Sequence, residues 1–245
     1  MITNLPPEEL MSMGERYRAD YLVEQGGYSL GIAAKDSKTL AVLLPVNFLA
    51  EVRAALDSVS SAMKDKTVAA ADSKSATVSQ NAAFAGAKLW RTKVMHRCRR
   101  AASMGKPMPD ELVHVNKAKT VPAVISQMDK MTKLLETNKA DLAADTAALL
   151  KQGLELTAAL KAADAGQEVK KFKDLPDAVR AFYQNKGLLY IGLKVINDAG
   201  RELHAGEPEK ASQYNFSILR RNHGKKAQGE AGGDLTPTPS PQGKG

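Results

Sequence analysis

The chain is poor in cysteine and in aromatic residues, and both shortages narrow the choice of fold. Cys98 is the only cysteine among 245 residues. A single cysteine excludes an intrachain disulfide framework and is typical of a reducing compartment. Aromatic residues make up only 5% of the chain, whereas alanine, leucine and lysine are abundant. This composition favours packed helices over a β-sandwich, so we expect an all-α protein.

Long apolar runs are also missing. No stretch approaches the roughly 20 consecutive apolar residues of a membrane helix. The first twenty residues carry acids and two prolines instead of the apolar core of a signal peptide. We therefore expect a cytoplasmic protein without a membrane partner. A membrane-active toxin that uses residues 28–49 is a weaker alternative, because KDSK divides that region.

Signature motifs of catalysis are absent as well. The sequence contains no GxxxxGK[ST], GxGxxG, HExxH or GxSxG motif and no CxxC pair. We predict no catalytic, cofactor-binding or metal-binding residues, and we expect a protein that is not an enzyme, uses no cofactor and has no small-molecule substrate.

Prolines and glycines predict where helices begin and end. Pro6 and Pro7 predict the start of a helix that Gly26 and Gly27 stop. Two apolar runs at 28–34 and 39–44 then predict a small hairpin, or an extended segment that wraps the helices.

Three long helices are expected after Pro45. Proline is absent from Phe48 to about Ser103, which predicts a helix of nearly sixty residues. A heptad-like seam predicts a second helix from Thr120 to about residue 163, followed by a connection at 165–174. A third helix is expected from there to Leu203, and a last short helix from Pro208 to about residue 222.

These elements predict an elongated antiparallel bundle of three long helices with a short N-terminal helix. The expected organisation is an N-terminal segment at 1–45, the bundle at 46–223, and a disordered tail at 224–245. The TPTPSP motif in the tail favours polyproline II, as a spacer or a short recognition segment.

The net charge of +8 is unevenly distributed. No acidic residue occurs between Asp72 and Asp110, and an antiparallel bundle would bring a second basic cluster from the last helix to the same pole, provided that this helix continues straight. The candidate contacts to an anionic partner are Lys93, Arg97, Arg99, Arg100, Lys106, Arg220, Arg221, Lys225 and Lys226.

The stretch LWRTKVMHRCRR at 89–100 contains the only tryptophan and the only cysteine. On a helical wheel Trp90, Val94 and Cys98 share one arc, which predicts that they are core residues. His96 and Cys98 point about 160° apart and cannot bind one metal ion together. Glycines and aromatic residues of the last two helices are expected to serve packing; they are Gly187, Gly192, Gly200, Tyr183, Tyr190, Tyr214 and Phe216.

Two functions fit this pattern. The leading hypothesis is a non-enzymatic helical scaffold or assembly protein that acts through contacts with a protein partner or with itself. The alternative is a nucleic-acid-binding protein whose basic pole contacts phosphates.

Overall fold

A computed structural model describes residues 2–142 and 145–221, and within these ranges the secondary structure is helical, without a strand. This confirms the predicted all-α class. The N-terminal helices are α1 (Pro7–Glu15), α2 (Ala19–Lys35) and α3 (Ser37–Leu40). Then come α4 (Phe48–Ser103), α5 (Asp110–Val113), α6 (Val121–Thr137), a 3-10 turn (Lys139–Asp141) and α7 (Thr146–Val169). A π-helix (Lys170–Asp174), α8 (Leu175–Leu203), α9 (Pro208–Ala211) and α10 (Ser217–Arg220) complete the described chain. The predicted tail lies outside the described residues.

The backbone forms two compact units. The first unit comprises the chain up to Ser60 together with the chain from Tyr183 onward, and the second unit comprises Ser61–Phe182. Helices α4 and α8 contribute to both units. The predicted boundary between residues 45 and 46 falls inside the first unit, and the one between 223 and 224 lies outside the described residues.

The long first helix is confirmed, because α4 runs without interruption from Phe48 to Ser103. Its first turns bury Phe48, Val52 and Val59 in the core of the first unit. Its last turns bury Trp90 and Val94 in the core of the second unit. One amphipathic pattern of three- and four-residue spacing therefore supplies both cores.

The predicted hairpin is wrong, because α2 continues to Lys35 and α3 follows at Ser37. Gly26 does not end the helix; it lies in the core, where a methyl group in place of its hydrogen would come within 2.9 Å of Leu56. Leu22, Leu30 and Ala33 are buried along the same side of α2. Packing thus outweighs the cost of about 1 kcal/mol that each glycine imposes on a helix.

The predicted second helix is interrupted earlier than the sequence indicated. Helix α6 ends at Thr137, where the Asn138 side chain donates a hydrogen bond to the Leu134 carbonyl (2.7 Å), and α7 starts only at Thr146. The helices pair side by side, with Lys161 Nζ 2.9 Å from Asp129 Oδ2. Residues of the predicted seam are nevertheless buried on both helices; they are Met128, Leu135, Leu149 and Leu160.

The predicted connection at 165–174 is also wrong, because α7, the π-helix and α8 follow one another without a gap. Pro176 lacks an N–H group and would clash with the carbonyl of residue 172 in a regular α-helix. A π-helical turn directly before it widens the backbone and relieves that clash. Lys170 also pairs with Asp174 across this turn (2.9 Å).

Glycines of α8 allow close packing in the first unit, as predicted. A Cβ atom on Gly187 would lie 1.9 Å from the Leu10 carbonyl oxygen, so α1 and α8 approach backbone to backbone there. A Cβ atom on Gly200 would lie 2.1 Å from the ring of Tyr214. Tyr214 is accordingly buried, while Tyr183, Tyr190 and Phe216 are half-buried, which confirms their predicted packing role.

Candidate functional site

Trp90 anchors the basic end of α4 in the second unit. Its indole Nε1 donates a hydrogen bond to the Leu149 carbonyl (2.7 Å), and the side chain is fully buried. Gly153 lies against the ring, where a Cβ atom would come within 2.3 Å of Cζ2. Trp90, Val94 and Cys98 all face the core, which confirms the predicted arc. The opposite side of this part of α4 consequently faces solvent.

Cys98 and His96 lie on different sides of α4. Cys98 is fully buried and burial raises the pKa of its thiol, whereas His96 is exposed. A second pair, Glu111 and His114, has the Glu-x-x-His spacing found in carboxylate-bridged metal sites. However, Glu111 pairs with Lys130 (3.2 Å). The side chains of Glu111 and His114 are also largely exposed. Among the described residues no three His, Cys, Asp or Glu side chains are grouped so that they could hold a metal ion.

Three of the predicted basic residues already have partners within the second unit. Arg97 pairs with Asp145, and its guanidinium also donates to the Thr146 hydroxyl (3.2 Å). Arg99 Nε donates to the Val113 carbonyl (2.7 Å). Lys106 Nζ lies 3.5 Å from Asp141 Oδ1. Arg97 and Lys106 are partly neutralised by these carboxylates, whereas Arg99, whose partner is an uncharged carbonyl, keeps its charge.

Lys93, His96 and Arg100 form what we call the basic stripe. They are exposed, and they recur at spacings of three and four residues, which places them along one face of α4. Within the described chain none of the three forms an ion pair. Together with Thr92, Arg97 and Leu149 they line an open depression of about 340 Å³. This surface could bind an anionic group through unpaired donors.

Arg91 belongs to the stretch without acidic residues between Asp72 and Asp110, and the structure buries it. Its Nη2 atom donates to the Asn116 carbonyl (3.0 Å), while Nε and Nη1 have no hydrogen-bond partner within the described part of the chain. Burial lowers the pKa of this guanidinium. Arg91 therefore tethers the segment before α6 to α4 and adds nothing to the basic stripe.

The second basic cluster was expected from a last helix that continues straight after Pro208, and the structure contradicts that condition. After Pro208 the chain forms two four-residue helices, α9 and α10, and the Gln25 side chain binds both the Asn215 carbonyl (2.9 Å) and the Ile218 amide (3.2 Å). These bonds hold the segment against α2. Arg220 and Arg221 thus belong to the first unit, where Arg221 pairs with Glu24 (2.8 Å). Lys225 and Lys226 lie outside the described residues.

Polar side chains around Asp36 form a hydrogen-bond network in the first unit. Asp36 accepts hydrogen bonds from the Tyr214 hydroxyl (2.7 Å) and from His204 Nε2 (3.0 Å). These bonds lower the pKa of the Asp36 carboxyl group. His204 Nδ1 also lies 3.4 Å from Glu207 Oε1. The network links the start of α3 to the residues that follow α8.

An aromatic pocket of about 260 Å³ opens on the first unit, lined by Tyr17, Tyr190, Phe216, Leu219 and Arg220. The rings of Tyr17 and Tyr190 stack with centroids 4.6 Å apart, and the Phe216 ring tilts against Tyr190 at 5.7 Å. Burial and the hydrogen bond to Tyr190 raise the pKa of Tyr17 to about 12, so its hydroxyl stays protonated at neutral pH. Sequence patterns did not single out Tyr17, because it lies far along the chain from its ring partners.

The second unit also contains a stretch in which α4 pairs with the run of α7, the π-helix and α8, and which α6 reaches only at one edge, through Asp129 and Lys161. We call it the two-helix segment. It comprises residues 63–82 of α4 and residues 161–181 of α7, the π-helix and the start of α8. The helices run antiparallel, since Gln80 contacts Asp164 (2.6 Å) and Asp72 contacts Lys170 (3.4 Å). No residue in either stretch is buried. The seam between the helices is formed by half-buried small and polar residues, among them Ala69, Ser73, Ala76 and Gln80.

Comparisons with known proteins return no family model, no curated protein and no solved structure that matches this chain. In the described part of the chain, every helix is too short or too polar to cross a lipid bilayer.

Proposed function

We propose that the protein is a non-enzymatic helical scaffold that assembles through protein–protein contacts, and that the two-helix segment pairs with the same segment of a second copy. The observation that carries the proposal is the exposure of apolar side chains on a pair of helices that has no buried core of its own. Of the antiparallel bundle of three long helices expected from the sequence, the antiparallel pairing of α4 with the run of α7, the π-helix and α8 remains part of this proposal.

The apolar side chains of the segment favour a helical partner. The most exposed are Val68 (58%), Val78 (62%), Val169 (50%) and Phe172 (70%). Val169 and Phe172 are three residues apart, one turn along the helix, and Phe172 lies in the π-helical turn. Fully burying such a side chain contributes about 1.5–3 kcal/mol. Two antiparallel helices from each of two copies would form a four-helix bundle that removes these side chains from water.

The charge of the segment supports a second copy as the partner. Residues 63–82 and 161–181 together contain eight basic and six acidic residues, so two copies meet without strong like-charge repulsion. Acids and bases also alternate along both helices, as the cross-pair of Asp72 and Lys170 illustrates. A strongly basic or acidic partner gains nothing from such a mixed surface, whereas an identical surface can complement it.

Sedimentation equilibrium of the full chain over a wide concentration range tests the proposal. We expect reversible dimerisation, and we expect a Val169→Gln, Phe172→Gln double variant to raise the dissociation constant at least tenfold. The matched control is Leu154→Gln, which removes an equally exposed leucine (57%) from α7 outside the two-helix segment and should leave the constant unchanged. A chain that stays monomeric at every concentration, or equal effects of both variants, would contradict the proposal.

The basic stripe favours a second candidate function, the binding of nucleic acid through phosphates. Lys93 and Arg100 are exposed without ion pairs in the described chain, and phosphate contacts need such free cations. Fluorescence anisotropy with a double-stranded DNA and a single-stranded RNA oligonucleotide tests it. We expect affinity to fall steeply with salt, and Lys93→Gln, Arg100→Gln to reduce the slope of log K against log salt by about 2. The control Lys35→Gln, Lys38→Gln removes the same charge elsewhere; equal losses for both pairs would indicate only a general effect of net charge.

A further inference from the structure

We propose that the aromatic pocket binds the chain's own proline-rich segment, residues 234–241, whose sequence is DLTPTPSP. This docking is independent of the assembly proposed above, because it uses the first unit and a different ligand. The pocket supplies stacked aromatic rings and one cation, and the segment supplies prolines and one acid.

The chemistry of the two partners matches. Proline-rich segments adopt polyproline II with little loss of entropy and dock on aromatic-lined grooves, where proline rings pack on aromatic faces. Tyr17, Tyr190 and Phe216 provide three such rings in one pocket. Pro237, Pro239 and Pro241 are the only prolines after Pro208. The pocket therefore offers the surface that this segment requires.

The charges at one end of the ligand and at the rim of the pocket are complementary. Arg220 lines the pocket and forms no ion pair within the described chain. Asp234 directly precedes Leu235, which is the only large apolar residue after Leu219. A charge-assisted hydrogen bond between Asp234 and Arg220 would orient the segment, with Leu235 and the prolines directed to the rings.

The connection is long enough for the segment to reach the pocket of its own chain. The described chain ends at Arg221, next to the pocket residue Arg220. Asp234 follows Arg220 by 14 residues, a distance of up to about 46 Å if extended. A random coil of 14 residues has a root-mean-square span of about 20 Å. Its effective concentration is on the order of millimolar, so even weak contacts are occupied. This favours the chain's own segment over a free peptide.

Paramagnetic relaxation in the full chain tests the docking. A nitroxide is attached to Ser240→Cys, while the native Cys98 is buried and reacts slowly. We expect amide resonances of Tyr190, Phe216 and Leu219 to lose more than half of their intensity. The same label in a chain with Pro237→Ala, Pro239→Ala and Pro241→Ala should restore the intensities. These substitutions lie outside the described residues and change no residue that lines the pocket.

Two further measurements decide whether the pocket holds the chain's own segment or that of a second copy. Arg220→Gln should weaken the broadening, whereas the control Arg53→Gln, an exposed arginine of the same unit, should not. Mixing isotope-labelled chain without nitroxide and unlabelled chain with nitroxide reports contacts between copies. Broadening in the chain that carries both labels, with none in the mixed sample, supports the proposal. Broadening in the mixed sample that accounts for the effect assigns the pocket to a second copy's segment and overturns the proposal, as does unchanged intensity in all samples.

Discussion

The contact between Gly153 and Trp90 allows a quantitative test of the second unit. In Gly153→Ala the new methyl group would lie 2.3 Å from Cζ2 and 2.6 Å from Cε2 of the indole ring. The fully buried ring cannot yield without moving its neighbours, and such overpacking costs about 1–3 kcal/mol. Displacing the ring also weakens the hydrogen bond from Nε1 to the Leu149 carbonyl, which contributes about 1 kcal/mol. Alanine in place of glycine returns about 1 kcal/mol of helix propensity. The net expectation is a loss of about 2 kcal/mol.

Gly166→Ala is the matched control in the same helix. No atom lies within 4 Å of a Cβ placed on Gly166, so only the propensity gain of about 1 kcal/mol remains. The two variants make the same chemical change and should differ by about 3 kcal/mol in the free energy of unfolding. With a denaturant slope of about 2 kcal/mol/M, their urea midpoints should differ by about 1.5 M.

Urea unfolding followed by tryptophan emission measures this difference directly, because Trp90 is the only tryptophan. We also expect the native emission spectrum of Gly153→Ala to shift, since the indole must move, while that of Gly166→Ala stays as in the parent. A Gly153→Ala variant with the parent's spectrum and an equal or higher midpoint would refute the packing argument.

Three further predictions concern other contacts. Gly187→Ala should destabilise the first unit by more than 2 kcal/mol, because its methyl group meets backbone atoms of Leu10, while Gly31→Ala, with open space around it, should stabilise by up to about 1 kcal/mol in thermal unfolding. The pKa of Asp36 lies below its usual value, so the stabilisation from its charged carboxylate is present above the unfolded pKa of about 3.9 and is lost as the pH falls through the folded pKa. Asp36→Asn should therefore cost about 2 kcal/mol at pH 7 and progressively less as the pH is lowered below about 3.9, in urea titrations over this range. Cys98 should react with maleimide only as fast as the second unit opens, and a fast reaction in the native state would contradict its burial.

The sequence predicted the elements that depend on local pattern. Regular apolar spacing and the absence of proline were sufficient for α4, and the helical wheel placed Trp90 and Cys98 in the core. Proline at a first helical turn correctly marked the starts of α6 and α9. Each of these features is decided by neighbours within one or two turns of the helix.

Elements that depend on distant packing were predicted wrongly. Gly26 appeared as a helix stop because the side chain of Leu56, which packs against it, is thirty residues away. Pro176 similarly appeared as a break, although a π-helical turn accommodates it within a continuous run. The seven-residue spacing of Leu135, Leu142 and Leu149 continued across a reversal of the chain, so the pattern alone could not reveal the turn between α6 and α7. In the first case tertiary packing outweighed a sound local rule, in the second a change of helix type accommodated the proline, and in the third the spacing carries no information on chain direction.

The candidate surfaces also divide into features that local sequence predicts and features that depend on distant contacts. Charge counting found the basic stripe, because Lys93 and Arg100 need only a helical face, but it could not show that Arg97 pairs with Asp145 or that Arg91 is buried. Ion pairing between residues nearly fifty positions apart depends on the fold. Surface charge read from a sequence is therefore an upper limit, which the folded chain reduces.

Assembly through the middle of α4 is better supported than assembly through its ends, because the side chains that α4 turns toward its neighbours differ between these parts. At both ends, large side chains such as Val59 and Trp90 are buried in a core. Between residues 63 and 82 the inward positions hold small or polar side chains, and the apolar residues Val68 and Val78 face outward instead. Helices paired through such a thin seam bury little apolar area, so they gain little free energy from pairing alone. A partner that covers the outward residues supplies the missing burial, and the stability of this stretch should then depend on protein concentration.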